Sequence, residues 1–357
     1  MSDNSQNLQH VVTQAIENNT ALDIRAGGSK SFLGLRHEAQ ALDVQTHNGV
    51  VSYEPTELVI TARAGTPLST LKDTLLERDQ WLAFEPPAFG NTATIGGTVA
   101  CALAGPSRPY LGGTRDFILG CRIINGRGEI LQFGGEVMKN VAGYDVSRLM
   151  TGAMGTLGIL LDVSIKVLPM AEQHITLAES LDITTAIDNM QALAGMGLPV
   201  TASAYIAAVQ YTRLSGTGKT TTAAAKKLSG DVSTEVNDNL WHQLREHELD
   251  FFKGAKHPLW RISVPALTSE LNIDGKWLYD WAGMQRWLVS DAPAKTIRAI
   301  TEAAGGHATM YRAPDSLKAT ASVFHPLPAP LLALHKRLKN EFDPQGIFNH
   351  QRLIQEF

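Results

Sequence analysis

PPAFGNTATIGGTVA, residues 86–100, opens a stretch running to Gly120 that carries seven glycines in 35 residues, interleaved with alanine, serine and threonine. Side chains this small build no core of their own, so the backbone here is expected to come close to something large. Upstream, ALDIRAGGSKSFLG (residues 21–34) reads as a strand followed by a glycine turn. VVSYEPTELVITARAGTPLSTLKDTLLERD (residues 50–79) reads as a strand ending at Ala64, Thr66 as N-cap, Pro67 at N1 and a helix from Leu68. Downstream, CRIINGRGEILQFGG predicts a hairpin turning at Asn125–Gly128, and ILLDVSIKVLP alternates until Pro169, a natural domain edge. One helix, from about Gln6 to Asn18, precedes all of this.

The chain has 357 residues, 44% hydrophobic and 18% charged, which fits two moderate globular domains rather than a disordered chain. A net charge of −4 offers no broad basic surface for nucleic acid. Cys101 and Cys121, the two cysteines, form no C-x-x-C pair, so this chain is not expected to ligate zinc or an iron-sulfur cluster, and no metal is assigned. The polar N-terminus lacks the basic and apolar regions of a secretory signal, and no run of 18 apolar residues occurs. The expected location is cytoplasmic, with any membrane attachment peripheral and through partners.

Beyond Pro169 the texture changes to alternating strands, such as residues 202–208, 260–264 and 276–281, and helices, such as residues 183–194 and 293–304. This predicts an α+β domain with an antiparallel sheet covered by helices. The expected division is residues 1–170, residues 171–340, and a tail, 341–357, that returns to the first domain. SGTGKTTTAAAKKL (residues 215–228) looks like the end of a phosphate-binding loop, but Arg213 stands where the first glycine of G-x-x-x-x-G-K-[ST] must curl. The stretch is read instead as a strand, a turn and a surface helix.

Two glycine turns fit together better. Ala26, Gly27, Gly28, Ser29, Lys30 and Ser31 can form an anion nest after a strand. Thr94, Ile95, Gly96, Gly97 and Thr98 can bring backbone close to a diphosphate, with Pro86 and Pro87 stiffening the approach and Ala100 leaving room for a flat ring. In this order, RAGGSKSFLG, PPAFGNTATIGGTVA, YLGGTRDFILG, KNVAGYDVSRLMTGAMGTLGI and the tail EFDPQGIFNHQRL resemble the flavoproteins of the vanillyl-alcohol oxidase type, with a PCMH-type FAD-binding domain built of two subdomains. With GGHATMYR and the short length, the whole chain is similar to the FAD-binding E-subunit family of glycolate oxidase complexes.

The resemblance implies FAD held by Ala26–Ser31 on one side of the pyrophosphate and by Thr94–Gly97 on the other. It implies Pro87, Ala100 and Ser107 along the flavin and ribityl chain, Gly158 and Ile159 at the adenine end, and Asn349 reaching back from the tail. Arg115 and Asp116 are expected to hold a loop, and KNVAGYD either lines the site or is a structural turn. Ser29 stands where covalent members carry histidine, so the FAD is expected to be noncovalent. The histidine-rich metal motif of members that oxidise 2-hydroxy acids has no counterpart. His307, His325, Arg261 and Arg312 are available for acid–base or carboxylate work, but none is assigned as catalytic. The implied partners are a larger FAD-containing catalytic subunit and an iron-sulfur subunit, with a small 2-hydroxy acid as substrate. Two alternatives stay open: a non-catalytic interaction subunit with the same fold, and a self-sufficient FAD-dependent 2-hydroxy-acid dehydrogenase.

Overall fold

The computed structural model describes residues 2–35, 38–135, 145–228, 231–232, 238–254 and 256–356. The chain forms two compact units: Met1–Leu103, Gly113–Pro169 and Pro326–Phe357 make the first, and Ala104–Gly112 with Met170–His325 make the second.

In the first unit the helix Ser5–Glu17 buries Leu8, Val12 and Ala15, spaced so that one stripe faces inward. That stripe packs on Leu22, Leu42, Ile124, Leu161 and Phe348. Leu8 and Val12 are fully buried, each worth about 1.5–3 kcal/mol against exposure. A charge at Val12 would undo this seam. Leu22–Arg25 and Gln40–Asp43 form a parallel pair. Beside them is a five-stranded sheet in the order Val50–Glu54, Val59–Arg63, Ile159–Lys166, Ile118–Ile124, Ile130–Gly134, antiparallel throughout. The expected hairpin is therefore present, with Asn125 Oδ1 accepting from the amides of Arg127 and Glu129 in its turn. Thr66 differs from expectation. The helix Leu68–Leu76 starts after Pro67 with no side-chain cap, while the Thr66 hydroxyl accepts from Gly49 N at 2.9 Å, because the turn beside it leaves that amide unpaired.

The helix Ala329–Phe342 belongs to the first unit, so the return of the chain begins at Pro326 rather than near residue 341. Lys339, the buried residue of this helix, explains why. Its ammonium donates to Thr156 O at 2.7 Å, to Phe348 O at 3.0 Å and to Asp343 Oδ2 at 2.6 Å. Asp343 in turn accepts from the amides of Ile347 and Phe348. The tail then pairs with the strand Leu22–Arg25: Leu22 N donates to Ile347 O, and Asn349 N donates to Leu22 O.

The second unit is an eight-stranded antiparallel sheet, in the order 231–232, 173–180, 209–216, 200–206, 276–280, 285–289, 259–263, 307–312. The helix Ala294–Ala303 seats Ile297 on Trp260, Ile262, Leu288 and Met310. Val209–Gly216 is a strand, and Arg213 within it is buried, its guanidinium 5.4 Å from the Trp241 ring centre and its Nε donating to Thr201 Oγ1. A strand in an antiparallel ladder cannot curl around phosphates. Gly218–Lys227 is a helix capped by Thr217, as the strand–turn–helix reading of this stretch has it.

Candidate functional site

The strand Leu22–Arg25 delivers the first glycine turn. Gly28 takes a left-handed φ of +70°, and Ser31 N closes the turn on Gly28 O at 3.0 Å. The amides of Gly27, Gly28 and Ser29 donate to no acceptor among the described residues, which leaves three adjacent donors in one nest. The second turn is anchored differently. Thr94 caps the helix Ile95–Cys101, Gly97 N donates to Thr94 Oγ1 at 3.2 Å, and Gly96 N donates to Ala64 O at 2.8 Å. These two amides are engaged within the chain, so Gly96 and Gly97 form a wall without side chains rather than a second set of donors.

The two turns touch. A Cβ on Gly27 would lie 1.4 Å from Thr92 O, a contact that glycine alone permits. Lys30 Nζ lies 5.8 Å from the Phe89 ring centre, and the rings of Phe32 and Phe89 meet edge to face at 5.6 Å. Gly96 backs onto Ala64, just past the strand Val59–Arg63, and its Cβ would sit 2.6 Å from Ala64 Cβ.

Between the turns lies a cleft open to solvent. Of the residues expected at the cofactor, Ala26, Gly27, Gly28, Ser29, Lys30, Ser31, Thr94, Gly96, Gly97, Ala100, Gly158, Ile159 and Asn349 line it. Pro87, Ile95 and Ser107 do not: Pro87 is buried, Ile95 is buried under its own helix, and Ser107 is buried in the second unit. Of KNVAGYD, all but Asp145 lies outside the described residues; Asp145 caps the helix Val146–Met150 by accepting from Arg148 N. Asp116 accepts from Gly113 N at 2.8 Å, the loop-holding role expected of it.

Asn349 lines the cleft, yet its side-chain amide is engaged by protein. Its Oδ1 accepts from Ile24 N at 2.7 Å and its Nδ2 donates to Met154 O at 2.7 Å, which makes it a clasp fixing the first turn's strand to the tail. Sequence reading missed Arg25, Cys101, Met154, Gly155 and Arg352, all of which line the cleft. Arg352 lies within the quoted tail, three residues after Asn349, and its carbonyl would sit 2.6 Å from a Cβ on Gly34, which takes a left-handed φ of +81°. Burial pushes the Cys101 thiol up, against the opposing pull of Lys30 and Arg352. It is a packing thiol rather than a thiolate.

A dinucleotide fits this cradle. The cleft offers three amides without an acceptor among the described residues, the Ser29 hydroxyl, two cationic side chains in Lys30 and Arg352, and apolar walls in Ile24, Val44, Ile159 and Met154, the chemistry that a dinucleotide diphosphate requires. His307, His325, Arg261 and Arg312 are elsewhere, all in the second unit. His325 Nδ1 accepts from Ala308 N, and burial, then Arg261, His325 and Arg108, lower the His307 pKa. No group of three or more His, Cys, Asp or Glu able to hold a metal occurs among the described residues, and no described helix is long and apolar enough to cross a membrane.

Comparison with known proteins bears on this cradle. A family described as FAD binding domain matches residues 2–134. Glycolate oxidase subunit GlcE of Escherichia coli (strain K12) is 46% identical over 354 residues, covering 99% of this chain and 98% of the relative. D-lactate dehydrogenase of Anaerostipes hadrus and glycolate oxidase subunit GlcD of Bacillus subtilis (strain 168) are each 32% identical, over 36% of this chain and 27% of their own length. Among solved structures, alkyldihydroxyacetonephosphate synthase superposes with a TM-score of 0.65 at 14% identity, covering 96% of this chain and 75% of that one, which shows the shared fold. The chain binds FAD and stands among FAD-dependent oxidoreductases. It belongs to the family of glycolate oxidase subunit GlcE, flavoproteins with a PCMH-type FAD-binding domain.

Proposed function

We propose that this chain is the flavin-bearing E-type subunit of a complex that oxidises small 2-hydroxy acids such as glycolate to 2-oxo acids and passes the electrons to an iron-sulfur partner. The observation that carries this reading is the cleft between two touching glycine turns, in a chain that matches GlcE from end to end. Bound FAD would accept the electron pair leaving the hydroxyl-bearing carbon. The chain's own residues bind and orient: the Gly27, Gly28 and Ser29 amides hold the diphosphate, Lys30 and Arg352 balance its charge, and the Asn349 clasp fixes the strand from which the turn springs. Iron-sulfur chemistry falls to a partner, because Cys101 and Cys121 are one half-buried and one buried, and are unpaired. A larger FAD-containing subunit completes the complex, which we place in the cytoplasm or at the inner membrane face through those partners.

The FAD is held noncovalently. Ser29 offers no histidyl nucleophile, and no histidine is among the described residues that line the cleft. An absorbance spectrum of the purified chain before and after acid precipitation tests this: yellow colour moves to the supernatant. Colour retained in the pellet contradicts the noncovalent reading, and a chain that takes up no FAD contradicts the whole proposal. Adding glycolate to the chain alone and then with its partners separates a self-sufficient dehydrogenase, whose flavin bleaches unaided, from a subunit that needs the complex.

A further inference from the structure

The helix Ala329–Phe342 is built unlike the two helices nearest to it in length. Leu331, Leu332, Leu334, Leu338 and Phe342 are large and apolar, yet the buried residue of this helix is Lys339. Ser5–Glu17 buries Leu8, Val12 and Ala15, and Ile183–Gly195 buries Ala186, Ile187, Met190 and Leu193. Leu331, Leu334 and Leu338 recur at i, i+3 and i+7, which gathers them on one side beside the inward side marked by Lys339. Leu331 is 40% and Leu334 42% exposed.

The C-terminal end of the helix is tied down by Lys339, by Arg127 Nη1 donating to Glu341 O at 2.6 Å, and by Gly126 N donating to Phe342 O at 2.7 Å. Residues 329–338 have no side-chain hydrogen bond or ion pair to another element among the described residues; the His335 ring meets Leu331 O within the helix itself. The start has no side-chain cap either, since Pro328 stands at the N-cap. A short helix is marginal in water unless tertiary packing covers its apolar side, because nucleation costs more than a few added turns return. The leucine strip is therefore a side that lacks its cover.

Charge says what kind of cover fits. Arg337 follows Leu334 by one turn and borders the strip, with Lys336 next to it; both are exposed and have no ion pair among the described residues. Glu341 is offset by Arg127 at 3.8 Å. This helix is thus locally positive in a chain whose net charge is −4. Pro326, Pro328 and Pro330 hold the lead-in at fixed φ, so little freedom is lost when a contact forms.

We propose that the leucine side of this helix docks the chain onto another protein subunit, in an apolar groove with carboxylates at its rim. The surface rests on the multi-subunit reading given above and deepens it by naming where the contact is made. A helix that enters a membrane sinks its apolar face by about 5–10 Å, and leucines already more than half covered form too shallow a strip for that. A second copy of this chain would bring the same cations to both sides of the contact.

Titration of the full-length, flavin-loaded chain with the other two subunits of the complex, purified together without it, tests the surface. Affinity is read by fluorescence anisotropy, and exchange of the amides of residues 331–337 by mass spectrometry. Those amides are expected to exchange readily in the chain alone and to slow in the assembly. Leu331→Gln combined with Leu334→Gln is expected to weaken assembly by at least about 10-fold. Arg337→Glu is expected to weaken it by about 10-fold at low salt and by less as salt rises. Leu267→Gln, at a leucine 79% exposed in the second unit, is expected to change nothing. FAD content and unfolding temperature of each variant report folding. Assembly of parent strength in the folded double variant, or exchange that does not slow, overturns the surface. Arg337→Glu binding as the parent does overturns the acidic rim. A dimer of the chain alone that the double variant loses overturns the occupant in favour of a second copy, and binding to phosphatidylglycerol vesicles that the double variant loses does so in favour of lipid. Failure of the multi-subunit reading looks different: the parent chain and every variant alike bind neither subunit, which overturns both.

Discussion

Replacing Gly27 by alanine puts a methyl carbon where Thr92 O already lies, 1.4 Å away, and an ordinary contact needs 3.4 Å. The first turn must therefore retreat from the second by about 2 Å, beyond the reach of a hydrogen bond set at its original place. Crowding of this kind costs about 1–3 kcal/mol in stability. The greater loss falls on the cofactor. Three amides aimed at a diphosphate are each worth about 1.5–3 kcal/mol, so FAD affinity should drop by at least about 100-fold. Gly28→Ala is the control. Its Cβ meets nothing within 4 Å, and its cost to the empty chain is the left-handed backbone alone, about 1–2 kcal/mol. FAD affinity is read by quenching of flavin fluorescence, and stability by thermal unfolding of the flavin-free chain. Gly27→Ala binding FAD as tightly as the parent would refute the contact between the turns.

Asn349→Ala leaves Ile24 N and Met154 O without their partner and should lower stability by about 2 kcal/mol, with FAD loosened as well; denaturant unfolding of the holo chain checks this, and an unchanged midpoint denies the clasp. Lys339→Met strands a buried Asp343, and Asp343→Asn weakens the hold on Lys339. Each should cost about 3 kcal/mol, and the double variant less than the total of the two, which a double-mutant cycle measures. Asp3 is held at about 2 instead of 3.8, first by the Ser5 hydroxyl and then by the Ser5 amide. Since the folded value is the lower one, its contribution to stability is complete above pH 3.8 and is lost as pH falls through about 2; a carboxyl NMR titration with a midpoint at 3.8 would contradict the pairing. Lys219→Ala, at the start of a surface helix, should change stability by less than about 0.5 kcal/mol, and magnesium-ATP should not shift the unfolding temperature of the parent chain.

Some of this was open to reading along the chain because it depends on neighbours in sequence. Alternation in ILLDVSIK, the turn at Asn125–Gly128 and the opening helix near Gln6–Asn18 are local patterns, and each became the element its spacing requires. The dismissal of the Lys219 stretch was local too, since one arginine in place of one glycine decides whether a loop can curl. The two glycine turns could be singled out by their small residues, and the resemblance they carry named the cofactor.

The cap at Thr66 was misjudged because its hydroxyl had a long-range alternative, the Gly49 amide, that no window around residue 66 contains. Asn349 was placed at the cleft, but its role as a clasp depends on Ile24 and Met154, more than 190 positions away. Arg352 went unnoticed for the same reason, and so did Lys339, whose partners include Thr156, 183 positions away.

The order of residues by itself determined the local elements, the two small-residue turns and the kind of ligand they suit, because backbone conformation and steric room at a glycine are properties of a few adjacent residues. Tertiary structure alone decided that Gly27 touches Thr92 and that the Gly96 and Gly97 amides are already engaged. Those facts depend on which distant segments the packing within each unit brings together, and hydrogen bonds and charges act through space rather than along the chain.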